Sequence, residues 1–88
     1  MVKRSLLHDA SETTVTRFVT FTAGNHRFEL ALLVADYFND QTLVIDLLGT
    51  RHGLIDKDNI HQPGHLEHVF QLNQMEAEQL RSYLNDLL

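Results

Sequence analysis

The chain contains no cysteine. A disulfide framework, a thiolate nucleophile and a cysteine zinc site are therefore excluded. That absence fits a reducing compartment. No apolar run approaches the roughly 20 residues a membrane-spanning helix needs. The opening residues, Met1 to Asp9, carry the basic pair Lys3 and Arg4 but no apolar stretch long enough for a signal peptide. Basic residues are scarce, with Lys and Arg numbering 7 against 12 Asp and Glu, and the formal net charge is -5. They are scattered, so a phosphate backbone is repelled overall and nucleic-acid binding is not expected. Internal repeats and low-complexity segments are missing as well. The expectation is a cytoplasmic protein with neither membrane nor nucleic acid among its partners.

What is present reads as one small globular domain over residues 1–88. Its composition, 43% hydrophobic and 22% charged, is ordinary for that class. Residues 1–13 mix charge and small polar groups around one apolar pair, Leu6-Leu7. They read as a loosely ordered arm whose leucines are pinned on the core.

Period-two alternation dominates the first half. Val15, Val19 and Phe21 share one parity with Arg17, while Thr16, Phe18, Thr20 and Thr22 share the other. Successive strand side chains point to opposite faces, so this is a strand, Val15 to Thr22. Gly24-Asn25 supplies the positive φ a tight hairpin requires. A second strand follows from His26 to Ala35, with Phe28, Leu30, Leu32 and Val34 on one face. Its Leu30–Ala35 half is apolar on both faces, which suggests a central strand covered on both sides, with a helix as the rival reading. Thr42 to Leu47 or Leu48 forms a third strand and Arg51 to Asp56 a short fourth.

After the Pro63-Gly64 break, Leu66, His68, Phe70 and Leu72 alternate with polar neighbours, suggesting a fifth strand; a short helix is the rival. The last element is a clear helix. Asn73 and Glu76 form a capping-box pattern, and Ala77, Leu80, Leu84 and Leu87 make one apolar stripe.

Three sets of residues invite a chemical reading. His61, His65 and His68, with Glu67, are the right residue types for zinc, nickel or copper. Pro63-Gly64 interrupts any single helix that would converge them, and on a strand His65 and His68 point opposite ways, so surface histidines are the stronger reading. Asp36, Asp46 and Asp56 could form an acidic site, but acid/base catalysis needs two groups held near one substrate, and nothing fixes their proximity. Asp46, inside a strand, either faces solvent or pairs with Arg17 or Arg51. Arg17 on an apolar row reads as an edge residue reaching out to water. Phe18 stands alone among threonines and could mark an interface.

The string from Pro63 to Leu72 and the Glu-rich helix after it, together with Thr16–Val19 and Arg27–Ala31, resemble a family of small uncharacterised cytosolic proteins of low-GC Gram-positive bacteria, a domain of unknown function. The resemblance covers nearly the whole chain. It implies a cytosolic housekeeping-type protein and carries no catalytic residue over. It also implies an aromatic residue often at position 65 and a histidine kept at 68, which counts against a three-histidine metal site.

The resulting expectation is an α+β fold: a mostly antiparallel sheet of four or five strands with one C-terminal helix packed on one face. The favoured function is a non-enzymatic binding or assembly module with no cofactor. It would self-associate as a homodimer through strand one, with Phe18 at the contact, or bind another protein. The alternatives are a small histidine-based metal-binding protein and, behind it, an acidic-site hydrolase.

Overall fold

The first hairpin sets the register for everything after it. A computed structural model describes residues 3–88; Met1 and Val2, the start of the arm expected over 1–13, lie outside the described residues. Strand β1 (Val15–Ala23) pairs antiparallel with β2 (His26–Val34), from Ala23 opposite His26 to Val15 opposite Val34. The positive φ of the two-residue turn falls on Gly24, at 59°, and not on Asn25, the pattern of a type II′ turn. Strands β3 (Thr42–Asp46) and β4 (Arg51–Ile55) follow, giving a four-stranded antiparallel sheet in the order β1-β2-β3-β4. β1 and β4 are its edges.

Two helices cover one face: α1 (His65–Phe70) and α2 (Gln74–Leu87). The core lies between them and the sheet. Phe28, Leu30 and Val44 from the sheet meet Leu66, Leu80 and Leu84 from the helices, each 1% exposed or less. α2 begins as its sequence requires, because the Asn73 side chain accepts from Glu76 N at 2.8 Å while Glu76 Oε1 accepts from Asn73 N at 3.1 Å.

Four expectations are corrected. The fifth strand is helix α1. The alternating pattern would have put His68 in the core row beside Leu66 and Phe70, where an imidazole without a partner is costly. The helix instead buries Leu66 and Phe70 at i and i+4 and exposes His68. Gln71, at a φ of 54°, ends α1, and Leu72 N donates to Glu67 O at 3.0 Å. β2 is central in the sheet, yet helices cover only one of its faces. Leu6 and Leu7 are not pinned on the core but are 76% and 94% exposed. Leu87, expected in the buried stripe, is 37% exposed, because the last turn of α2 overhangs the end of the sheet beside Val34 and Thr42.

Gly53 records how closely α1 sits on β4. A Cβ built there would lie 2.6 Å from Val69 Cγ1. Gly53→Ala is expected to cost about 1–3 kcal/mol through overpacking, read as a lower urea midpoint at unchanged slope. No loss would mean that Val69 rotates aside freely.

Candidate functional site

The sheet face opposite the helices carries no helix among the described residues. Strand parity and register place Phe18, Ala31, Leu33, Leu43, Ile45 and Leu54 there in adjacent rows. Only Ala31 is buried, at 3%, sheltered between Phe18 and Ile45 of the neighbouring strands; Leu54 is 38% exposed and Phe18 75%. Leu33, Leu43 and Ile45 are half-buried, so the exposed apolar surface on this face centres on Phe18 and Leu54. It runs up to β1, whose outer backbone has no strand partner.

A cleft of ≈ 350 Å³ at the end of the sheet that carries the β1–β2 and β3–β4 turns gathers polar groups, among them Asp46, His26 and Glu76. His26 Nδ1 lies 2.8 Å from Glu76 Oε2, and the His26 ring stands edge-on to Phe28 at 4.2 Å. Asp46 is 8% exposed and, although the register sets it opposite Arg51, it forms no salt bridge with Arg17 or Arg51 among the described residues; its Oδ1 accepts from Leu48 N at 3.2 Å and Gly49 N at 3.1 Å. It therefore caps the β3–β4 turn. Glu76 is engaged on both oxygens, by the α2 cap and by His26. A histidine beside two carboxylates is the raw material of acid/base chemistry. Here both carboxylates are engaged by the fold, Asp46 by the amides of the β3–β4 turn and Glu76 by the α2 cap and His26.

Residues 7–86 match the family described as SAV0927-like. The chain belongs to the SAV0927-like family. The matched span includes the strings 16–19, 27–31 and 63–72, on which the resemblance rested, and all but the last residue of the helix Gln74–Leu87 that follows them. No curated protein matches the chain. Nor is any helix of the described residues of this SAV0927-like domain long and apolar enough to cross a membrane.

Among the described residues of the domain, no three of His, Cys, Asp and Glu are grouped so as to hold a metal ion. Helix α1 sets His65 and His68 one turn apart on neighbouring positions, not on opposite sides as a strand would. His61 ends a separate 3-10 turn, Asn59–His61. Glu67 faces Arg81, with 3.3 Å between Oε1 and Nη2. The His65 ring nitrogen Nε2 is enclosed and has no hydrogen-bond partner, while His61 and His68 are exposed.

The three aspartates do not converge either. Asp46, opposite Arg51, and Asp56 stand at opposite ends of the β3–β4 hairpin, five residue steps of strand apart, roughly 17 Å. Asp36 opens an exposed 3-10 turn. Asp56 ends β4 as a local hub. Its Oδ1 accepts from Asn59 N at 2.7 Å and Asp58 N at 2.9 Å, and its Oδ2 from Gln41 Nε2 at 3.0 Å.

These bonds, that from Asn59 N first, hold the Asp56 carboxyl below the usual carboxylate range. A carboxyl with its pKa lowered by folding adds stability above its unfolded pKa and loses it as pH falls through the folded value. As pH falls through the carboxylate range, Asp56→Asn is therefore expected to lose less stability than the parent chain, as followed by urea midpoints. Parallel losses in the two proteins would contradict this.

Proposed function

We propose that this SAV0927-like domain is a non-enzymatic assembly module of the cytoplasm that self-associates through β1, with Phe18 at the contact. The carrying observation is the position of β1. It is a nine-residue edge strand, and its open-face side chains Thr16, Phe18, Thr20 and Thr22 bring no charge to deter a partner. The other edge, β4, is five residues long, begins with Arg51 and is followed by Asp56, Lys57 and Asp58, which discourage pairing. The only charge on β1, Arg17, points to the helix side, at the rim of an apolar cleft beside Leu32 and Leu84.

A specific dimer buries on the order of 1,200–2,000 Å² in total, so the contact is large enough to follow by sedimentation. Sedimentation from low to high micromolar concentration is the test. The expected result is a concentration-dependent dimer whose dissociation constant rises roughly tenfold or more in Phe18→Ser, since burying an aromatic side chain contributes about 1.5–3 kcal/mol. A single monomeric species over the whole range, identical in Phe18→Ser, would overturn the proposal.

A further inference from the structure

The N-terminal arm is the part of the molecule least used by its own fold. Residues 3–14 form neither helix nor strand. The molecule measures 50 Å along its longest axis against 29 and 24 Å along the others. Its radius of gyration is 15.2 Å, where a compact chain of this length has about 12 Å. The arm therefore projects from the body. It touches the body through Glu12 Oε1, which accepts from Asp36 N at 2.8 Å, and through His8, whose ring lies 6.4 Å from that of Tyr37. Asp36 and Tyr37 belong to the turn that follows β2, so these contacts lead the arm away on the β2 side of β1 and not along the outer edge of β1.

The arm and that outer edge match each other. Both are extended, and the edge has an open row of backbone donors and acceptors. Leu6 and Leu7 are adjacent, so in a strand they point to opposite faces. β1 offers an exposed apolar residue on each face, Phe18 at 75% and Val15 at 65%. The tip also carries Lys3 and Arg4, while the chain as a whole is at -5, so the field of a second copy draws it in.

We propose that the arm of one copy lies along β1 of a second copy as an added strand, with one of Leu6 and Leu7 beside Phe18 and the other beside Val15. This rests on the assembly reading and names the element that fills the contact. Strand addition of this kind draws affinity from main-chain bonds and specificity from alternate side chains.

The test uses the full chain. Because it has no native cysteine, Ser5→Cys gives a unique attachment point for a nitroxide label. Spin-labelled chain is mixed with unlabelled ¹⁵N chain, and amide broadening is read in the ¹⁵N copy. Broadening centred on Val15 to Thr20 is expected. In parallel, a chain carrying both Leu6→Ser and Leu7→Ser is expected to raise the dimer dissociation constant roughly tenfold or more. A dimer that persists unchanged in that double variant, with no broadening at β1, overturns the arm contact but leaves self-association through β1 standing. Broadening that appears only when label and ¹⁵N share one chain also overturns it, since the arm would then cover its own edge. A chain that is monomeric at every concentration removes both this inference and the assembly reading.

Discussion

Leu84→Ala is expected to lower the stability of the domain by about 2–5 kcal/mol. The side chain is 1% exposed and belongs to the central cluster with Leu32 and Val44. It also lines the existing gap of ≈ 80 Å³ between the end of α2 and the sheet, so truncation enlarges a space that is already there. For a domain of this size the loss corresponds to a fall in Tm of at least about 8 °C. Calorimetry or urea unfolding checks it. A loss under about 0.5 kcal/mol, the size of an ordinary surface substitution, would contradict the packing described for α2.

Arg81→Met is expected to cost about 2–3 kcal/mol, although Arg81 sits on a helix and keeps its aliphatic length in the variant. Its side chain is 16% exposed and ties three elements together. Nε donates to Ile60 O at 2.7 Å, Nη2 reaches Glu67 Oε1 at 3.3 Å and Nη1 reaches Glu78 Oε2 at 2.5 Å. The Ile60 carbonyl follows β4 in the 3-10 turn, and Glu67 lies in α1. Removing the guanidinium leaves a part-buried carbonyl and a carboxylate without their donor. Glu78, whose side chain is 72% exposed, contributes little by comparison. Glu78→Gln is therefore expected to stay within about 0.5 kcal/mol of the parent. Equal losses in the two variants would mean that the exposed pair, and not the Ile60 carbonyl, dominates.

Much of the fold could be read directly from the chain. The alternation of Phe28, Leu30 and Leu32, the Gly24-Asn25 turn and the Asn73/Glu76 cap are local signals, and each produces the element it implies. They work because strand parity, a positive φ and a capped N-terminus are decided within a few residues. The segment from His65 to Phe70 failed as a strand because its apolar spacing satisfies both periods. What settled it was the helix-side face of β4, where Gly53 leaves room for Val69 to approach.

The candidate site was less legible. Phe18 was visible as an aromatic among threonines, but its exposure depends on no helix crossing that face. Leu33, Leu43 and Ile45 gave no sign that they would share an open surface with it, because that follows from register across three strands. Asp46 was noticed as an odd strand aspartate, yet its role as a turn cap needed the path of Leu48 and Gly49. Arg81 carried no signal at all, since its main partner is a backbone carbonyl 21 residues away.

The sequence by itself determined the four strands and the C-terminal helix, their boundaries within a residue or two, and the lack of any cysteine. The tertiary structure alone decided that β1 is an edge, that one sheet face stays open, and that the histidines and aspartates do not gather. The physical reason is distance along the chain. Hydrogen bonds and side-chain periods act between near neighbours, whereas edges, open faces and shared sites arise only after strands far apart in sequence have been laid side by side.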